Sequence, residues 1–304
     1  MKQDQVAIVT GGASGIGRAL SEELARRGVE VVVADIDPKL AEQVAAEIRA
    51  QQGRAVAKLL DVRDAEAFAR LARETVERTG RIDYLFNNAG IGRSGEISSY
   101  ALKDWDDVLD VNVRGVAYGV QAVYPLMIAR GSGHIINTAS TAGLISTPGL
   151  GGYSATKHAV VGLSKALRIE AKAHGVNVSV FCPGVIRTPL LLKGLSNYPG
   201  LSPEDASKLW ERFRPMEPGD FARAALDCVA KNRAIIVVPR WYKALWFVER
   251  WSPALAERLG TLFHERAKAD MEALVASAKN PPPLSAADRN GTSRASSTTT
   301  SPTK

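Results

Sequence analysis

Short, wholly apolar runs alternating with helical patterns constrain the fold of this chain more than any other feature. The first is Val6-Ala7-Ile8-Val9 and the second Val31-Val32-Val33-Ala34, with further runs near 54–60, 82–86, 135–136, 176–182 and 234–238. Between them, the spacing predicts helices up to Arg27, from Pro38 onward, and near 64–79, 112–129 and 153–173. A strand that is apolar on both faces has to be covered on both, and helical crossovers between parallel strands provide that cover. The expected architecture is α/β, a doubly wound parallel sheet of about seven strands. Residues 1–240 read as one such domain. Its pattern loosens between Pro183 and Pro239, where a mobile insertion and a helix near 203–213 are expected.

The first strand runs into Thr10-Gly11-Gly12-Ala13-Ser14-Gly15-Ile16-Gly17 and then a helix. Such a turn lays backbone N–H groups and the positive end of a helix against a pyrophosphate. Gly11 permits the tight turn, Gly15 the close backbone approach, and Gly17 the packing of helix on sheet. Asp35 lies 18 residues past Gly17, at the end of the second strand. A carboxylate there accepts from the ribose hydroxyls of an adenosine and repels a 2′-phosphate. No Lys or Arg occupies 34–37, and Ser14 rather than a basic residue sits in the loop, so NAD is expected over NADP. Arg18 is a mild signal in the other direction.

Tyr153 and Lys157 stand four apart at the start of a long expected helix, and therefore on one face. A nearby cation favours the phenolate and draws a Tyr pKa below its ordinary value of about 10, which suits general acid/base work. Taken alone, such a pair more often marks an exposed Tyr and Lys on an amphipathic helix.

A series of motifs in order changes that balance. Thr10–Gly17 reads T-G-x-x-x-G-x-G, Asp61-Val62 follows the third strand, and Asn87-Asn88-Ala89-Gly90 follows the fourth. Asn112, Ser140, Tyr153 and Lys157 come next, with Ser140 thirteen residues before Tyr153, and Pro183–Thr188 reads P-G-x-x-x-T. Over about residues 5–240 the chain resembles the short-chain dehydrogenase/reductase family. The resemblance implies a Rossmann-like fold and an NAD-dependent oxidoreductase that interconverts an alcohol and a ketone. In it Tyr153 carries the proton and Lys157 lowers the Tyr pKa and binds the nicotinamide ribose. Ser140 would hydrogen-bond the substrate oxygen, and Asn112 would hold a water linking Lys157 to solvent. Cofactor contacts implied are Gly11, Ser14, Gly15, Ile16 and Gly17 in the loop, Asp35, Asp61 and Val62 at the adenosine, and Asn88 and Gly90 along the cofactor. Ile186 and Thr188 would meet the carboxamide, beside Tyr153 and Lys157. Homodimers or homotetramers packed through the 112–129 and 153–173 helices are also implied.

Substrate contacts are expected from Ser140, Tyr153, Leu144, Leu150 and Leu190, an apolar lining that favours an uncharged, hydrophobic alcohol or ketone. After Pro239, three of the five Trp fall within 241–251. On a helical wheel Trp241, Ala244, Leu245, Phe247, Val248 and Trp251 share one arc. Lys243, Glu249 and Arg250 lie opposite, with Tyr242 and Trp246 among them. This amphipathic extension, 241–280, can pack on its own domain or a partner, or rest in a membrane interface through 241–252. A second helix is expected over 254–278, and 281–304 reads as a disordered tail.

The formal charge of +7 is uneven, with 29 Lys and Arg against 26 Asp and Glu in 1–239, and 10 against 6 in 240–304. That balance excludes a basic nucleic-acid face on the main domain. His134, His158, His174 and His264 show no metal-ligand spacing, so no metal is expected, and Ser140 lacks the G-x-S-x-G elbow of a hydrolase. Cys182 and Cys228 read as free thiols. No apolar run approaches the roughly 18 residues of a membrane span, and the first strand begins close to Met1, so a cytoplasmic location, peripheral to a membrane at most, is expected. Outside enzymology, two readings stay open: a silent NAD-binding scaffold and a membrane-associated interaction module.

Overall fold

The computed structural model describes residues 4–191, 211 and 213–279, with side chains to 273 in the last helix. Seven strands are present: β1 (Val6–Thr10), β2 (Glu30–Asp35), β3 (Ala55–Leu59), β4 (Tyr84–Asn87), β5 (Gly133–Thr138), β6 (Val176–Pro183) and β7 (Ile235–Val238). They form one parallel sheet in the order β3-β2-β1-β4-β5-β6-β7. The doubly wound sheet expected from the apolar runs is therefore the fold. Its order reverses between β1 and β4, and at such a switch point a crevice opens outside the carboxyl ends of the strands.

Alternation along each strand divides the core. Ala7, Val9, Val31 and Val33 point toward α1 (Gly15–Arg26) and α2 (Pro38–Ala50), while Val6, Ile8 and Val32 point toward α3 (Ala65–Thr79). Asp37 starts α2 by accepting from Lys39 N and Leu40 N, with Pro38 at the first helical position. The described part of the loosened 183–239 region holds a helix that sequence patterning did not reveal, α7 (Pro218–Ala230, numbered after α4–α6 below). Its Phe221, Ala222, Ala225 and Leu226 are buried in the α1-side core, and Phe221 meets Phe181 edge-on at 5.7 Å. Two of those four side chains are Ala, which weakens the apolar stripe. The expected helix near 203–213 and Leu192 lie almost wholly outside the described residues, as does the 281–304 tail.

A second difference bears on the site. The helix expected over 112–129 begins earlier, as α4 (Leu102–Leu109), and passes through a π turn at Asp110–Arg114 into α5 (Gly115–Arg130). The Gly115 N–H bonds to the Asp110 carbonyl, so one residue is inserted into the helical ladder. Such insertions recur at functional sites because they re-aim one side chain, here Asn112.

His134, on β5, is a structural group. Its Nε2 lies 2.8 Å from Ser179 Oγ, which itself donates to the Arg233 carbonyl, so the ring nitrogen is the donor. Burial, with Arg168 nearby, pushes its pKa down to about 4. The unfolded chain takes up this proton near pH 6.5 and the folded protein only near 4. Stability should therefore be complete above the upper value and fall as pH drops toward the lower, by on the order of 3 kcal/mol. Urea midpoints measured across this window should fall less steeply for His134→Gln than for the wild type; parallel curves would sink the assignment.

The extension forms α8 (Tyr242–Trp251) and α9 (Pro253–Lys279). Tyr242 is buried, Trp246 packs on the core beside Leu144 and Val237, and Glu249 accepts from Ser146 Oγ at 3.2 Å. The docking face of α8 is thus 242, 246 and 249, the side the wheel assigned to polar residues. The apolar arc faces outward, with Trp241, Leu245, Phe247 and Trp251 exposed. Aromatic rings with polar tips make this possible: the Tyr242 ring fills the space beside Gly184, and its hydroxyl accepts from Val185 N at 3.3 Å.

Candidate active site

At the carboxyl end of β1, Thr10 is the tie between loops. Its hydroxyl donates to the Phe86 carbonyl and accepts from Asn88 N and Ala89 N, each at 3.0 Å. Asn88 Nδ2 in turn donates to the Thr10 carbonyl at 3.1 Å. The glycine loop and the Asn87–Gly90 loop are therefore one rigid unit. Gly11 and Gly15 take φ of 61° and 51°, conformations that a Cβ would strain. A Cβ on Gly17 would overlap the Gly11 carbonyl, and one on Gly11 would press on Ala89. What these glycines leave is a cradle of backbone at the N-terminus of α1, which fits a dinucleotide pyrophosphate. Ser14 is the N-cap residue of α1, and Ile16 packs against the core.

Asp35 ends β2 and turns toward this cradle, accepting from Ala13 N at 3.0 Å and Asp37 N at 3.1 Å. The Arg18 guanidinium donates to Glu22 at 2.7 Å and Glu47 at 2.5 Å. Asp61 is gripped by Arg63, which holds its pKa below the usual carboxylate value, and Val62 is buried against Gly115. The loop after β6 crosses to the glycine loop, so that a Cβ on Gly15 would stand 3.1 Å from Thr188. Ile186 is buried and bridges to Met216.

α6 (Gly151–Ala171) carries Tyr153 and Lys157. Lys157 is buried, its Nζ donating to the Thr138 carbonyl at 2.9 Å and lying 5.4 Å from the centre of the Tyr153 ring. Ser140, two residues past β5, accepts from Ala142 N, and its hydroxyl stands near enough to the Tyr153 hydroxyl to pull that pKa down. Asn112 clamps the loop after β4 onto α6. Its Oδ1 accepts from Ile91 N at 2.9 Å, and its Nδ2 donates to the Ile91 carbonyl at 2.9 Å and to Thr156 Oγ1 at 3.1 Å. Gly90 closes the arrangement, because a Cβ there would sit 3.2 Å from Asn112 Oδ1 and 3.3 Å from Lys157 Nζ. Asn112 and Lys157 thus meet at the Gly90 turn, and Tyr153 lies beside Lys157.

Burial is the largest influence on both members of the pair. It pushes Tyr153 up to about 12, with Ser140 pulling the other way, and it pushes Lys157 down to about 8. In each case the charged form is disfavoured because it gives up water. The protein alone therefore favours a neutral Tyr beside an easily deprotonated Lys.

The leucines expected around the substrate separate. Leu144 is buried in the cluster with Val160, Cys182 and Val237, Leu150 precedes the first turn of α6, and Leu190 is half-exposed over Gly92. Sequence reasoning missed an aromatic pair, Tyr100 and Trp105, with ring centres 5.5 Å apart. They pack on Gly152, the neighbour of Tyr153. The signal was α4 itself, whose start lies before the stretch read as helical. Among the described residues, no group of three or more His, Cys, Asp or Glu could hold a metal ion.

The parallel sheet with helices on both faces is the Rossmann-like fold of an α/β oxidoreductase class. The chain belongs to the short-chain dehydrogenase/reductase family, whose model, described as short chain dehydrogenase, matches residues 5–197. Levodione reductase of Leifsonia aquatica is 34% identical over 218 residues, 71% of this chain and 80% of that protein. Cyclohexanol dehydrogenase of Acinetobacter sp. (strain SE19) is 39% identical over 189 residues, 62% of this chain and 75% of that one. Among solved structures, a short chain dehydrogenase/reductase from Burkholderia phymatum in complex with NAD superposes with a TM-score of 0.74 at 29% identity, covering 83% of this chain and 95% of that one.

Proposed function

We propose that the protein is an NAD(H)-dependent oxidoreductase that interconverts an apolar secondary alcohol and its ketone, with Tyr153 as the general acid/base. The observation that carries this reading is a connected set: Asn112 and Lys157 beside Gly90, Tyr153 beside Lys157, and Ser140 beside Tyr153. A bound nicotinamide supplies the hydride acceptor or donor and, when oxidised, a positive charge beside the cluster. Ser140 holds the substrate oxygen and steadies the charge that develops on it. Tyr153 takes the hydroxyl proton during oxidation and returns it during reduction. Lys157 passes that proton on and binds the nicotinamide ribose, while Asn112 positions both by clamping the Ile91 loop to α6. Such a cluster argues against a silent scaffold, which has no need to bury an ammonium next to a phenol.

Preference for an apolar substrate is supported by Leu190 over Gly92 and the Tyr100–Trp105 pair beside Tyr153, and by cyclohexanol in the name of one relative. NAD+ reduction over a panel of secondary alcohols tests the reading; turnover confined to small polyols would overturn the apolar preference, and none at all the activity.

Preference for NAD over NADP follows from Asp35 at the cradle and from Arg18 being held by Glu22 and Glu47. Asp35→Asn keeps an acceptor for Ala13 N and removes the charge. It should lower the NAD-to-NADP ratio of kcat/KM by roughly tenfold or more, the size of a lost charged hydrogen bond and a relieved repulsion. A ratio near unity in the wild type would dismiss the assignment.

A further inference from the structure

The outer face of α8 has no cover among the described residues. Trp241 is 55% exposed, Leu245 40%, Phe247 66% and Trp251 77%, and the exposure continues on α9 at Leu255, Leu259 and Leu262. Single exposed apolar side chains need no account, but seven large ones on two consecutive helices form a surface that water does not favour. The charges around it have one sign on α8. Arg240, Lys243 and Arg250 are exposed, while Glu249, the acidic residue of that helix, is turned inward to Ser146. Arg250 also lies 5.5 Å from the Trp246 ring, at the border between the docked and free faces.

We propose that this face docks on an anionic phospholipid bilayer, with Trp241, Leu245, Phe247 and Trp251 among the headgroups and acyl ends, and the exposed Arg240, Lys243 and Arg250 reaching lipid phosphates from the border between the docked and free faces. Trp and Phe beside basic side chains are the chemistry of an interfacial helix, and each basic residue gains from the negative surface potential. A second copy of the chain fits this face less well, because pairing it with itself across a two-fold axis would set Arg and Lys against Arg and Lys. No described helix is long and apolar enough to cross a membrane, so the contact is peripheral.

The inner side of the extension shows what docking would bring to the bilayer. Tyr242 rests on Gly184 and Val185, which lead to Thr188 at the glycine loop. Glu249 holds Ser146, between Ser140 and Tyr153. On α9, Lys268 pairs with Glu96 at 3.2 Å, in the loop between Gly90 and Tyr100. The two helices thus touch three of the segments that border the candidate site, and docking would place that border at the membrane surface.

The test is co-sedimentation of the full chain with vesicles of phosphatidylcholine alone and of phosphatidylcholine mixed with phosphatidylglycerol. Phe247→Glu/Trp251→Glu serves as the variant, with size-exclusion light scattering run on both proteins. Both positions are exposed, so the thermal midpoint and NAD+ turnover in solution should not change. Expected are partition onto the anionic vesicles that weakens with salt, little onto the neutral ones, and about a tenfold or greater loss in the double variant. Wild-type protein that stays in the supernatant overturns the proposal, as does binding that the variant retains. A wild-type oligomer that the variant dissociates also overturns it, because a second copy would then cover the face.

Discussion

Tyr153→Phe should lower kcat for NAD+-dependent alcohol oxidation by about 10³-fold or more while leaving NAD+ affinity and the thermal midpoint near those of the wild type. The substitution removes one oxygen from a half-buried ring and keeps the ring itself, so packing against the first turn of α6 is retained. What disappears is the atom that lies beside the Ser140 hydroxyl and that would take the substrate proton. Hydride transfer would then leave a protonated ketone with no positioned acceptor. Titration of NAD+ by quenching of protein fluorescence, beside steady-state kinetics on one alcohol, separates binding from chemistry. A variant that keeps a tenth of its turnover would remove Tyr153 from the proton-carrying role.

Lys157→Met tests the second half of the cluster through its pH dependence. Oxidation releases a proton, so its rate should rise with pH until the group that accepts the proton is deprotonated. With burial holding Lys157 down to about 8 and Tyr153 up to about 12, the ascending limb in the wild type should have an apparent pKa at or below the lower value. A cationic ring beside the pair displaces both in that same downward direction. The apparent value belongs to the coupled pair and not to either residue alone. Without the ammonium, the limb should move upward by at least about one unit and kcat should fall by about 10²- to 10³-fold. KM for NAD+ should rise as well if Lys157 binds the ribose. A limb that stays in place would show that Lys157 only fills space beneath Thr138.

Much of the fold was legible because strands such as β1, β2 and β7 are apolar on both faces, a pattern that few other architectures tolerate. Gly17 illustrates how far sequence reasoning reaches into the site: close packing of helix on sheet was expected there, and a side chain would overlap the Gly11 carbonyl of the adjoining loop. Asn112 illustrates where it stops. Its place in a motif was readable, but its burial depends on the π turn at Asp110–Arg114 and on the Ile91 backbone, and local periodicity encodes neither. The α7 helix escaped for a related reason: its face against α1 includes Ala222 and Ala225, too small to mark a stripe. On α8 the wheel found the amphipathic division, but not that Tyr242, Trp246 and Glu249 form the side that docks. Tyr242 and Trp246 have polar atoms, and hydropathy ranks them below Leu245 and Phe247, yet the shape beside Gly184 suits a Tyr ring.

By itself, the sequence determined the parallel sheet, the glycine cradle with Asp35 at its edge, and the order in which Asn112, Ser140, Tyr153 and Lys157 follow one another. These are properties of spacing and side-chain type, which the chain carries before it folds. Tertiary structure alone decided that burial is the largest influence on Tyr153 and Lys157, that Arg18 pairs with Glu22 and Glu47, and that the apolar arc of α8 faces outward. Each of those depends on which groups lose their water and what replaces it, and that is set only when distant segments close on one another.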